Sequence, residues 1–207
     1  MTETLSVRLR QETKQAHTRA ERSGLMRDML AGKLEPARYI ALIANLHPVY
    51  SALETELHRL AAHPMVAPIH HTSLNRVPAL ERDLLALGGK TWAKDFPPTL
   101  PTQEYVARIH TAAEAPALLA AHSYTRYLGD LSGGQILKRI VLGLLGDKGP
   151  GAVSFYEFPE IPNPDAFKQG YRAALDGLPL DQPLADRVVA EALAAFELNA
   201  RLFEALG

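Results

Sequence analysis

Apolar positions along this chain recur with a period near 3.6 residues and show no sustained alternation. From Pro36 to Ala62, Tyr39, Ile40, Leu42, Ile43, Leu46, Val49, Tyr50, Leu53, Leu57 and Leu60 keep that period, which predicts one helix opened by Pro36 and kinked at Pro48. Upstream, Thr4 to about Gln15 puts Leu5, Leu9 and Ala16 on one stripe. A second helix is expected from Thr18 to Ala31, stopped by Gly32, with His17 between the two. Leu80 to Leu87 reads as a short amphipathic helix ended by Gly88-Gly89, Phe96 to Pro101 as an extended linker, and Thr102 as the cap of a helix holding Tyr105, Val106 and Ile109. Asn163-Pro164 opens a helix that runs to Asp176, and the last helix follows Asp181 and continues to Leu206. His63 to Thr72 and Asp147 to Pro162 are broken by Pro and Gly and read as loops. There is no hairpin signal and no internal repeat. The fold class is all-α: one domain over residues 1–207, a bundle of helices packed around an internal site.

The stretch from Leu118 to Gly146 breaks the pattern in an informative way. Its apolar positions keep a helical period, yet Gly129, Gly133 and Gly134 interrupt the middle. A glycine inside a helix costs about 0.5–1 kcal/mol relative to alanine, so this cluster needs a reason. Gly129 and Gly133 are four apart and share a face. A face without side chains either lets a second helix pack closely or lets something flat and bulky lie on the backbone, and it permits a bend. Asp130 stands on the neighbouring stripe. Tyr124, Thr125, Arg126 and Tyr127 just before it are too polar for a plain packing seam and suggest a hydrogen-bonded network.

Composition narrows the chemistry. The formal net charge is −1, which gives no argument for a nucleic-acid partner. There is no cysteine, so thiolate ligation, iron–sulfur clusters and disulfides are excluded. The charged start MTETLSVRLRQETK is unlike a signal peptide, and no apolar run nears the ~20 residues of a membrane span. A cytoplasmic protein without a membrane anchor is the expectation.

Histidines are the remaining candidate ligands. His17 has Glu21 four residues on, within reach on a helix. A histidine near an apolar face is more often structural than a ligand; a metal-bound imidazole usually gives its other N–H to a carboxylate, carbonyl or water, so the pairing with Glu21 strengthens the ligand reading without displacing the structural one. His70-His71 has no carboxylate at a useful spacing and reads as surface. His122 lies about two turns from Gly129, ~10 Å along the axis, and reads as structural. Lys168 and Arg172 share a helical stripe, and Phe196, Asn199 and Phe203 share another, where a buried amide would need partners.

The segment AHSYTRYLGDLSGGQILK (Ala121 to Lys138) resembles the distal-helix motif of the haem oxygenases almost residue for residue, and KQAHTRAERSGLM (Lys14 to Met26) resembles their proximal segment. The resemblance extends over nearly the whole chain. It implies haem, as both cofactor and substrate, held between a proximal helix with His17 as axial iron ligand and a bent distal helix over Gly129, Gly133 and Gly134. Glu21 would orient His17. Asp130 would act through ordered water, positioned by Tyr50, Tyr105, Arg126 and Asn199, with Thr125 beside it. Arg10, Lys14, Tyr124, Lys168 and Arg172 would meet the haem propionates, and Phe196 and Phe203 would wall the pocket. The implied reaction uses O2 and electrons from an external donor, a ferredoxin or flavoprotein reductase, to convert haem to biliverdin, CO and ferrous iron, with opening at the α-meso carbon expected. A basic face of Arg8, Arg10, Lys14 and Lys138-Arg139 could dock an acidic donor. A monomer is expected.

Two other functions compete. A haem carrier on the same fold would use His17 and the glycine face but would not need the Asp130 network. A di-iron oxidase needs Glu-x-x-His pairs in a bundle core, and the Glu54 to His58 stretch does not supply one.

Overall fold

The computed structural model describes residues 3–149 and 151–207. Every regular element among the described residues is helical. Helices α1 (Leu5–Glu12), α2 (Lys14–Arg22) and α3 (Gly24–Leu30) lead into the long α4 (Pro36–Arg59). Then come α5 (Val77–Gly88), α6 (Trp92–Asp95) and α7 (Leu100–Ala112). A turn at Pro116–Leu118 opens α8 (Leu119–Ser123), which passes through a π-helical turn at Tyr124–Leu128 into α9 (Gly129–Leu145). Helices α10 (Pro164–Asp176) and α11 (Gln182–Ala205) complete the chain. α4 packs between α5 and α7, and α11 lies across α2, α7 and α8.

Several boundaries differ from the sequence expectation. The N-terminal region forms three short helices, and His17 sits inside α2 rather than between helices. The first break falls at Thr13, whose buried hydroxyl donates back to the Leu9 carbonyl at 2.5 Å, an alternative bond that competes with helix continuation. The second falls at Ser23-Gly24: Ser23 is extended, and Gly24 has φ +40. A Cβ at Gly24 would meet the Phe203 carbonyl of α11 at 2.5 Å, so the close approach of two backbones requires glycine there. Thr102 is not a cap. Thr99 takes that position, and the buried Thr102 hydroxyl donates to Asn45 Oδ1 at 2.7 Å. Pro48 lies inside α4 and does not end it.

One contiguous hydrophobic core runs through the helices. It contains fully buried Tyr39, Tyr50, Tyr105, Tyr127 and Tyr171, so it carries hydroxyls that need partners. Behind these, Glu191 on α11 is buried and accepts from His122 Nε2 at 2.9 Å and from Arg108 Nε at 2.8 Å. His122 is thus structural, tying α8 to α11. Burial pushes the Glu191 carboxyl up, but its bonds to His122 and Arg108 outweigh this and hold it down at about 2. A folded-state value below the ordinary 4.5 means this stabilisation is complete above about 4.5 and is lost as pH falls towards 2. Replacing Glu191 by alanine strips a buried His and an Arg of their acceptor and is expected to cost about 3 kcal/mol at neutral pH. The deficit shrinks at acid pH; urea unfolding of both proteins across the acid range checks it.

Candidate active site

The π turn widens the hydrogen-bond ladder one residue before Gly129. The irregularity therefore precedes the glycines instead of falling on them. It also turns Arg126 into the core, where its side chain is only 9% exposed. Arg126 donates to the Tyr50 hydroxyl from Nε at 3.0 Å and from Nη2 at 2.8 Å, and to Asn199 Oδ1 from Nη1 at 2.6 Å. Asn199 Nδ2 donates to the Ala195 carbonyl at 3.0 Å and reaches the Tyr105 hydroxyl at 3.4 Å. The Tyr50 hydroxyl in turn donates a short hydrogen bond to Asp130 Oδ2. Four helices and the π turn thus converge on one chain of polar groups, Tyr105–Asn199–Arg126–Tyr50–Asp130, with Asp130 at its outer end.

Electrostatics follows from burial. Desolvation raises the Asp130 carboxyl above its ordinary value, against the pull of Arg126, the Tyr50 hydrogen bond and Arg76. Burial opposes the Arg126 charge, yet the surrounding phenols and Asp130 hold its proton more firmly than usual. Burial pushes Tyr105 up to about 12, so it remains a neutral hydroxyl. The Tyr127 hydroxyl and Thr125 Oγ1 are buried beside this chain without a protein partner among the described residues. Such groups suit ordered water or a polar ligand.

Outside the network the distal helix is bare. A Cβ built on Gly129 or Gly133 would meet nothing within 4 Å. Ile136, one turn further on, is 54% exposed. Gly134 points the other way and backs onto Tyr156. Close helix–helix packing at Gly129 and Gly133 is therefore ruled out as the reason for them. The patch faces open space, with the Asp130 carboxylate at its margin.

On α2 the His17 side chain is half exposed, with Glu21 Oε2 3.6 Å from its Nδ1. Its ring meets Phe196 edge-on at 5.5 Å. With Nδ1 directed at Glu21, Nε2 is the nitrogen available to a metal. Phe203 is also buried on α11, with its backbone against Gly24. Tyr124 is half-buried; burial raises its phenol, while the cations of Arg172 and Arg10 work against that rise. The Arg10 and Arg172 cations thus act on Tyr124 from α1 and α10. Lys168 pairs with Asp165 at 2.9 Å, and Lys14 lines a surface groove of α2 with Thr18, Arg19 and Arg22. Of the basic face, Arg8 is paired with Glu12 and Asp186, and Lys138 with Glu157. His71 packs edge-on against Phe167 at 5.2 Å, and no metal-holding group of three His, Asp or Glu occurs among the described residues.

The fit to haem can be tested on these features. A flat macrocycle needs a cradle free of side chains, one imidazole with a free nitrogen, apolar rims and cations at one edge. Gly129 and Gly133, His17, Phe196 with Ile136, and Arg10 with Arg172 supply these four things. The residues fit. An all-α protein that presents a half-exposed imidazole on one helix and a bare, acid-margined backbone on another has the parts that a haem-binding protein needs.

Comparison with known proteins agrees. The family model described as "Heme oxygenase" matches residues 3–205. "Heme oxygenase 1" of Synechocystis sp. is 44% identical over 207 residues, covering 100% of this chain and 86% of that protein. "Heme oxygenase 1" of Rattus norvegicus is 42% identical over 209 residues, covering 100% of this chain and 72% of that protein. The crystal structure of the Synechocystis heme oxygenase-1 in complex with heme superposes with a TM-score of 0.93 at 43% identity, covering 99% of this chain and 92% of that one. Heme oxygenase from Leptospira interrogans gives 0.92 at 40% identity, covering 98% and 100%. The chain belongs to the haem oxygenase family and is a haem oxygenase enzyme.

Sequence reasoning missed part of the site's support. Arg76, Asp83, Glu54 and Phe155 surround the network, as described below, and none lies in a recognisable motif.

Proposed function

We propose that the protein, as a single domain, binds haem between α2 and α9 and opens its ring at the α-meso carbon, using O2 and electrons from an external donor to release biliverdin, CO and ferrous iron. The observation that carries this reading is the Asp130 network ending beside a glycine face that no side chain fills. A carrier needs the cradle but not a buried chain of five polar groups aimed at its margin.

In this reading His17 would hold the iron through Nε2 while Glu21 fixes its imidazole, and the bound haem would supply the site at which O2 is activated. Gly129 and Gly133 keep their face of α9 free of side chains. Asp130 would hold water at the margin of that face, and Tyr50 and Arg126 hold Asp130 in place. That water would direct the oxidation at the ring edge. Arg10, Tyr124 and Arg172 grip the propionates, with Lys14 and Lys168 at the same edge, and so set which meso carbon lies beneath the oxygen. An acidic ferredoxin or flavoprotein would dock against Arg10, Lys14 and Arg139, and the enzyme would work as a cytoplasmic monomer.

One equivalent of haemin and a reductase system in air test the reading. Loss of the Soret band, growth of α-biliverdin and carbon monoxide trapped by myoglobin are expected. Intact haem with competent electron donors would make the protein a carrier. A product rich in the β or δ isomer would overturn the propionate assignment.

The glycine face gives a separable prediction. Because an added methyl meets nothing, Gly129→Ala and Gly133→Ala should each stabilise the haem-free protein by about 0.5–1 kcal/mol, raising Tm by roughly 2–4 °C per kcal/mol. The same methyl would press on a bound macrocycle and cost about 1–3 kcal/mol. Haem affinity would fall roughly ten- to a hundredfold. Calorimetry and haem titration on the same samples check both signs.

A further inference from the structure

Residues 153–158 form a strap across the back of the distal helix. Phe155 meets the Tyr50 ring edge-on at 5.6 Å, and Gln135 Nε2 of α9 donates to the Tyr156 carbonyl at 3.2 Å. Tyr156 supports Gly134, with its Cδ1 3.7 Å from where a Cβ would stand. The strap therefore touches both the glycine helix and the tyrosine that holds Asp130.

Two buried charged groups fasten it from α5 and its N-cap. Asp83 is fully buried and accepts from the Ser154 and Phe155 amides at 2.9 and 2.8 Å. Arg76 is 4% exposed, and no carboxylate forms an ion pair with its guanidinium among the described residues. Its hydrogen bonds run instead to backbone carbonyls: Leu74 at 3.0 Å, Ser73 at 3.4 Å, Phe155 at 3.3 Å and Glu157 at 2.5 Å. It also stacks on Phe158 at 3.8 Å. A buried cation without a paired anion is costly, and such groups are usually replaced unless their geometry is needed. Nη1 alone reaches both strap carbonyls while Nε and Nη2 hold Leu74 and Ser73, and a single lysine ammonium cannot reproduce that planar set of bonds to four carbonyls. Glu54 fixes the backbone at this point, accepting from the Val77 amide at 3.2 Å and, in a short bond, from the Arg76 amide.

We propose that Arg76 is a positioning residue of the distal site: by holding the Phe155 and Glu157 carbonyls it locks the strap, and through Phe155 against Tyr50 it sets where Asp130 stands. Arg76 touches neither the glycine face nor the margin itself. Its charge also acts across the core on Asp130, favouring the ionised carboxylate in the same sense as Arg126. The proposal rests on the reading that Asp130 directs oxygen, but its first link is open to test without haem.

Arg76→Met, Arg76→Lys, Phe155→Leu and Glu157→Gln would be compared with the parent protein. In the haem-free state, hydrogen exchange at the 154–157 amides should quicken at least tenfold in Arg76→Met and less in Arg76→Lys. Glu157→Gln should change it far less, since it loses only the exposed pairing with Lys138 and keeps the Glu157 carbonyl in the clamp. Unchanged exchange in Arg76→Met would overturn the clamp whatever the enzyme does. In the haem-loaded state, the ratio of biliverdin formed to guaiacol oxidised should fall about tenfold in Arg76→Met at unchanged haem affinity. Phe155→Leu, with Arg76 intact, should lower that ratio in the same direction. A loosened strap with an unaltered ratio would separate Arg76 from the chemistry and sink the proposal, leaving the Asp130 reading in place. If Arg76→Met fails to fold, Phe155→Leu and Arg76→Lys decide it: both must lower the ratio.

Discussion

Asp130→Ala is expected to keep its haem and lose its reaction. Asp130 contributes no packing across the glycine face, so haem affinity should change little. Biliverdin formation should fall by roughly a hundredfold or more, the loss typical when one preorganised polar group is removed from a reacting centre. The oxygen end would no longer be steered to the ring edge, and oxidation of an added phenol such as guaiacol should rise as ring opening falls. Asp130→Asn separates two contributions. It keeps a side-chain oxygen to accept from Tyr50 but discards the charge that faces Arg126 at 3.7 Å. An intermediate loss is therefore expected. Stopped assays of biliverdin and guaiacol product on the same sample give both numbers. Full biliverdin yield from Asp130→Ala would remove the network from the mechanism.

His17→Ala should fail differently. Without the imidazole the iron has no protein ligand, and the histidine-type spectrum of the ferric complex should disappear. Turnover should drop by on the order of a hundredfold, since an untethered macrocycle samples poses that misplace its edge. Free imidazole diffuses into the space left by the side chain and should restore the spectrum and part of the turnover. Glu21→Gln keeps His17 but weakens its orientation, and a smaller loss of roughly tenfold is expected. Rescue by imidazole distinguishes a lost ligand from a collapsed helix. A retained histidine spectrum in His17→Ala would reassign the ligand.

Much of this was legible in the chain before any coordinates. Periodic apolar positions placed the long helices, because burial of one stripe dictates them directly. The glycine triplet and Asp130 stood out because a helix does not tolerate such a cluster for nothing. The π turn at Tyr124–Leu128 was not legible: the stretch holds no glycine or proline to mark it, and most of its polar side chains are buried in the core, which no local pattern announces. The breaks at Thr13 and Gly24 likewise depend on the Leu9 carbonyl and on the approach of α11. Arg76 was invisible for a further reason. Its carbonyl partners at Phe155 and Glu157 lie 79 and 81 residues away and offer only main-chain atoms, which carry no residue identity for a pattern to match. Glu191 was missed as the partner of His122 because the two are 69 residues apart.

The segment carrying His17 has one more consequence. α2 is nine residues long and buries only Ala20. Displacing it uncovers little apolar surface, at about 25 cal/mol per Å². It is bounded on both sides by breaks, at Thr13 and at Ser23-Gly24, so its motion need not drag α1 or α3 with it. α9, backed by its strap, is anchored by buried charge. Under the proposed function, exchange of substrate for product would therefore be asymmetric: the side that would hold the iron can yield more easily than the side that would direct oxygen. Entry of a rigid macrocycle and exit of a floppy linear tetrapyrrole would then share one side, and the Asp130 network would stay in place through both.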